Sequence, residues 1–157
     1  MKQVKKSILL WYTAREMYEL VLKVREYPQF MPWCERAEVL EESDQGMTAR
    51  LHLSYRGVRQ SFTTRNTHVS GRAVTMQLVD GPFSRLDGHW EFLPVGAPAA
   101  GAEAASPAPS ACRIQFQMNY TFANAALELV VSPVFDRIAN TFVDAFVERA
   151  ERVYGSR

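Results

Sequence analysis

Very little in this sequence can hold a metal or a redox centre. It has two cysteines and three histidines in 157 residues, and none stands at the spacing that tetrahedral metal sites use. In a reducing compartment Cys34 and Cys112 are expected to be free thiols. There is no glycine-rich phosphate loop and no serine on a nucleophile elbow. No apolar run reaches the roughly 18 residues of a membrane span, and the N-terminus lacks both a signal-peptide core and an Arg-rich transit segment. The expectation is a cytoplasmic protein, at most peripheral to the inner membrane. The net charge of +1 gives no general attraction to DNA.

Acidic residues are missing from one long stretch. None occurs between Asp44 and Asp80, yet Arg50, Arg56, Arg59, Arg65 and Arg72 fall inside it, a local charge of +5. The segment just before it, Glu35 to Asp44, holds five acids and one arginine. Two readings stay open. The arginines are the solvated outer face of a sheet, or they form an anion-binding surface for RNA or an anionic membrane. Nothing interleaves basic and aromatic residues in the manner of an RNA-recognition surface, so phosphate-backbone contact is the most this stretch supports.

The strongest pattern lies at the C-terminus. Val134, Phe135, Ile138, Phe142, Val143 and Phe146 recur at spacings of three and four, one face of an α-helix, with Arg137, Asp144, Glu148 and Glu151 opposite. Ser132 and Pro133 suit an N-cap and a first helical position, so a helix is predicted over 132–154, preceded by a helical turn or two at 124–131. Three phenylalanines on one stripe need a wide apolar surface to lie on.

That surface is a sheet. A basic strand ends at Leu10, and Thr13 to Glu16 is a capping box that opens a helix to about Val24. Strands are then expected at 37–42, 49–55, 60–69, 73–79, 85–93 and 112–122, several alternating with a period of two, as when one sheet face is wet. Pro94 to Ala111 holds four prolines and eight alanines. It is expected to be a flexible hairpin loop inside one domain spanning 1–157, not a boundary. The fold class is therefore α+β: a curved antiparallel sheet of about seven strands around a long C-terminal helix, with short helices after the first strand.

Five motifs stand in a familiar order. They are Tyr27-Pro28-Gln29-Phe30-Met31-Pro32-Trp33-Cys34, Phe62-Thr63-Thr64-Arg65-Asn66, Leu78-Val79-Asp80-Gly81-Pro82-Phe83, Gly88-His89-Trp90-Glu91-Phe92 and Pro133-Val134-Phe135. In this order the chain resembles the coenzyme Q-binding proteins, START-like members of the polyketide cyclase/dehydrase superfamily. The bacterial branch of that group includes proteins named as ribosome-association toxins. The resemblance implies a helix-grip fold whose cavity takes a hydrophobic ligand such as a polyprenyl quinone (ubiquinone). It implies no required cofactor and no catalytic residue. It also offers a second partner, the large ribosomal subunit.

The candidate walls of such a cavity are Leu51, Leu53, Phe62, Met76, Leu78, Trp90, Phe92, Phe116 and Met118 from the strands. Phe135, Ile138 and Phe142 would come from the helix. Alternation puts Phe62, Thr64 and Asn66 on one side of their strand. If that side faces inward, Thr64 and Asn66 are buried polar groups that must bond neighbouring strands or a ligand's carbonyl oxygen. Tyr27, Phe30, Met31 and Trp33 crowd into a Pro-rich segment that is read either as a plug over one end of the sheet or as a gate at a cavity mouth. A cyclase or dehydratase would need an acid and a base facing one pocket. His89 and Glu91 are expected to point away from Trp90, toward solvent, so no such pair is evident.

Overall fold

The computed structural model of the protein describes residues 2–95 and 111–156. Strand β1 (Lys2–Leu10) is followed by helix α1 (Ala14–Leu22), a 3₁₀ helix (Val24–Gln29), strands β2 (Cys34–Ser43), β3 (Gly46–Tyr55), β4 (Val58–Val69), β5 (Ala73–Asp80), β6 (Phe83–Val95) and β7 (Ala111–Phe122), and helix α2 (Ala125–Tyr154). The seven strands form one antiparallel sheet in the order β1-β7-β6-β5-β4-β3-β2. Its edges are the basic strand β1 and the acidic strand β2. This is the helix-grip arrangement expected.

Local chemistry explains most element ends. The Thr13 hydroxyl accepts from the Glu16 N–H at 3.0 Å and the Glu16 carboxylate accepts from the Thr13 N–H at 2.8 Å, the reciprocal capping box. Helix α1 stops at Leu22, short of Val24, because the chain tightens into the 3₁₀ helix that carries Pro28. Arg56 and Gly57 both have positive φ, 49° and 80°, which makes the two-residue β3–β4 turn whose twist matches its strands. Pro94, Val95 and Ala111, expected in a loop, belong to the β6–β7 ladder. The remainder of that expected loop lies outside the described residues.

Helix α2 starts earlier than the sequence pattern suggests. Its N-cap is Asn124, whose side chain accepts from the Leu127 N–H at 2.9 Å, and Ser132 and Pro133 lie inside it. Pro133 leaves the Leu129 carbonyl without its intrahelical donor. Leu129 is 80% exposed, so water can take that donor's place. Burial of Val131 holds the first turns in line with the rest.

Ser132 has a different task from capping. Its hydroxyl donates to Asp136 at 3.0 Å, and Asp136 also accepts from Tyr120 Oη at 2.6 Å and from Lys2 Nζ. One carboxylate thus ties β1 and β7 to α2. Partial burial pushes the Asp136 carboxyl up, but the bonds from Lys2, Tyr120 and Ser132 and the Lys2 charge outweigh it and hold it below the usual range. A folded-state pKa below the unfolded one stabilises above the unfolded value, about 3.9, and that stability is lost as pH falls through the folded value. Urea unfolding at pH 7 and at about pH 3 should therefore show a larger acid loss in the wild type than in Asp136→Asn. Parallel losses would assign the acid sensitivity to other carboxylates.

Candidate functional site

The inner sheet face and α2 close into a nearly solid core. Two aromatic clusters fill its ends. At one, Trp90 stacks on Phe92 at 5.9 Å and meets Phe116, Phe142 and Phe146, with the Tyr18 ring edge-on to Phe92. At the other, Phe135 is surrounded by Phe62, Phe83, Tyr120 and Phe122. Between them the chain supplies smaller or softer groups: Ala139 and Ile138 from α2, Gly88 from β6, Met118 from β7 and Met76 from β5. A void of about 40 Å³ remains there, room for about three water molecules at the roughly 10–15 Å³ each occupies on this measure.

The void is lined by Ala49, Leu51, Phe62, Thr64, Asn66, Met76, Leu86, Asp87, Gly88 and Met118 from the sheet, by Val24, Tyr27 and Trp33, and by Phe135, Ile138, Ala139 and Phe142 from α2. Of the side chains expected as walls, Leu53, Leu78, Trp90, Phe92 and Phe116 stand elsewhere. The last three are consumed by the α1-side aromatic cluster, Leu53 is buried near the β3 end, and Leu78 sits half-buried beside the β4–β5 bulge. Val24, Ala49, Leu86, Asp87, Gly88 and Ala139 were missed. Apart from Asp87 they are small or ordinary apolar side chains that carry no local signal, and only the meeting of elements remote in the chain marks them.

The lining is almost wholly apolar. Asp87 contributes no free charge to it, because its carboxylate accepts from Arg85 and Asn119. Thr64 and Asn66 do face inward, 8% exposed each, and the Thr64 hydroxyl donates to Asn66 Oδ1 at 2.8 Å. Arg65 points outward and is exposed. His89 and Glu91 lie half-exposed on the outer face, bonded to each other at 3.0 Å, with Thr75 on the other ring nitrogen. Cys34 and Cys112 are free and buried, and burial pushes each thiol up to about 11, which suits packing groups rather than nucleophiles.

The aromatic segment covers one side of the void. Tyr27 is pinned by its hydroxyl to the Val21 carbonyl and packs edge-on against Phe142 and Phe146. Met31 is buried without reaching the void. Phe30 lies outside, half-buried against Tyr27 and Phe146, under the Arg149 guanidinium at 5.0 Å. Arg149 also donates to Glu26 and Gln29 at 3.1 Å each, clasping the segment to α2. Beyond it is an open groove of about 330 Å³ whose walls include Phe30, Pro32, Tyr55, Arg137 and Glu148. Trp33 and Ile138 line both groove and void. These two side chains form the partition.

The arginine-rich stretch is less bare than its composition suggests. Pairing of β2 with β3 sets the acidic segment beside it. Arg59 pairs with Glu35 at 3.0 Å, Arg50 stands opposite Glu38 in the ladder, and Glu38 also holds His52 at 2.6 Å. Arg56 stacks over Tyr55 at its turn. Arg56, Arg65 and Arg72 are exposed and have no carboxylate partner among the described residues. Among the described residues no group of His, Cys, Asp and Glu could hold a metal ion, and no helix is long and apolar enough to cross a membrane.

Residues 10–147 match the family model described as polyketide cyclase/dehydrase and lipid transport. An Escherichia coli protein named ribosome association toxin is 39% identical over 157 residues, covering 100% of this chain and 92% of its own. A mitochondrial coenzyme Q-binding protein of Xenopus laevis is 27% identical over 150 residues, covering 95% of this chain and 58% of its own. Among solved structures, a Streptomyces aromatase/cyclase superposes with a TM-score of 0.75 over 99% of both chains at 18% identity, a likeness of fold alone.

Proposed function

This chain belongs to the polyketide cyclase/dehydrase and lipid transport family, and on that premise we propose that it binds a lipophilic small molecule of the polyprenyl-quinone class between sheet and α2. It does no chemistry on that ligand, requires no further cofactor, and supports respiratory quinone function. One observation carries this reading: an apolar void is separated from an open groove by two side chains, Trp33 and Ile138. At 40 Å³ the void is too small for a substituted ring. Binding therefore requires the Tyr27–Trp33 segment to swing, which joins void and groove into one site. The lining has no acid–base pair, since Asp87 is held by Arg85 and Asn119.

Apolar walls reward apolar area at roughly 25 cal/mol per Å² removed from water. Titrating quinones of increasing isoprene number should therefore quench tryptophan fluorescence, with affinity rising until void and groove are full. Trp33→Ala should change the exchange rate more than the melting temperature. Affinity that ignores tail length, or no quenching at saturation, would remove this reading.

The likeness over the whole chain to a protein named ribosome association toxin favours a second reading, contact with the large ribosomal subunit. Exposed Arg56, Arg65 and Arg72 are the groups for it, because Arg50 and Arg59 face carboxylates. Phosphate contacts release counterions, so co-sedimentation with ribosomal subunits should weaken steeply with salt, and the triple Gln variant should both weaken it and flatten that dependence. Unchanged sedimentation of the variant would exclude the arginine surface.

A further inference from the structure

Asn66 is a polar side chain of the void whose hydrogen-bonding is unfinished. It is 8% exposed, stands on the inner face of β4, and lines the void among Phe62, Met76, Phe135 and Ile138. Its Oδ1 is taken by the Thr64 hydroxyl at 2.8 Å. In the structure the hydroxyl faces Oδ1, which leaves the amide nitrogen as the free end. The nitrogen, with two N–H donors, has no partner among the described residues. The nitrogen is not sealed but reaches space that a water molecule can enter. A ligand that displaces that water without offering an acceptor leaves the donor unpaired, which is costly.

We propose that Asn66, oriented by Thr64, is the residue that reads the ligand's polar end: it donates from its amide nitrogen to a carbonyl oxygen carried on an otherwise apolar molecule. This inference rests on the lipophile-binding reading and narrows it. A site with a single oriented donor in apolar surroundings discriminates by what it leaves unpaired. A hydrocarbon of the same shape strands the donor, whereas a ring ketone, a quinone or an acyl carbonyl satisfies it. The ligand's tail then leads away past Trp33 toward the groove, and the carbonyl end lies innermost. The acid that lines the void, Asp87, is engaged by Arg85 and Asn119. Glu41 and Glu42, which share an outer groove with Asn66, are carboxylates already ionised at neutrality, so the preference should not depend on pH near neutrality.

The test compares matched ligands by displacement of an apolar fluorophore. The probes are a decyl-substituted benzoquinone, the decyl arene of the same skeleton without ring oxygens, and a long-chain methyl ketone. The wild type should prefer the quinone over the arene roughly ten-fold, the size of one satisfied buried donor. Asn66→Leu, close in volume, should bind the arene as well as the wild type does and lose the preference. If Asn66→Leu fails to give a cooperative melt, Asn66→Ala is read for the same ratio. The methyl ketone separates sources: equal preference for it means that any carbonyl serves, and a preference confined to the quinone means that the ring is read too. Both results retain the role of Asn66. Equal binding of quinone and arene by the wild type, or an undiminished preference in the variants, overturns this inference and leaves the cavity reading intact. Binding of none of the three probes overturns both.

Discussion

Phe146→Ala is expected to cost about 3–5 kcal/mol of folding stability. Phe146 is fully buried and touches Tyr27, Phe30, Trp90 and Phe142, so its removal opens a cavity that none of these rings can collapse into without breaking its own contacts. Phe142 is a different case. It lines the void with Trp33 and Tyr27 and is 7% exposed where Phe146 is 0%, so part of its surface already borders open space. Truncation there forfeits fewer dispersion contacts and should cost clearly less. Phe135 also lines the void but is only 2% exposed, and should fall between the two. Urea denaturation of the three alanine variants measures the ranking. Equal, large losses at all three would mean that the space beside α2 does not behave as a void.

Gly88→Ala should lower quinone affinity roughly ten-fold with little loss of stability. A Cβ at this position would come within 2.5 Å of the terminal methyl of Met76, while the next neighbour, the Gln117 carbonyl, stays at 3.6 Å. The obstruction is the far end of a flexible side chain, and Met76 can swing it into the void. The fold survives because the void absorbs the methyl. The ligand loses that space, and the overpacking, typically 1–3 kcal/mol, falls on the complex. The same fluorescence titration reads the affinity, and a thermal melt reads the fold. Unchanged affinity would place the ligand outside the void, in the groove alone. A large drop in melting temperature would show that Met76 is not free to move.

Local chemistry made much of the architecture readable. The capping box at Thr13–Glu16, the period-two alternation in β3 and β7, and the Phe135–Phe142–Phe146 stripe are set by neighbours within a few residues, and each stands where expected. The start of α2 was not readable, because two cap signals compete. Ser132-Pro133 looks like a beginning, but Asn124 caps the helix. The proline is tolerated inside because the unpaired Leu129 carbonyl sits where the helix is open to water, while Val131 is buried on the other side.

The site divides along the same line. Alternation alone put Phe62, Thr64 and Asn66 on one side of their strand, though only packing showed that side to face inward, and amphipathic spacing alone aimed Phe135, Ile138 and Phe142 at the sheet. Which of the many inward aromatics would leave a gap depended on how elements remote in the chain fill one volume. Trp90, Phe92 and Phe116 consume each other at one end, and Gly88, Ala139 and Met76 fall short in the middle. The charge of the arginine stretch likewise depended on a pairing: β2 lies beside β3, so Glu35 and Glu38 meet Arg59 and Arg50. Patterns of three, four or two residues reach as far as one helix face or one strand. Voids and surface charge are sums over elements remote in the chain, and tertiary packing alone decides them.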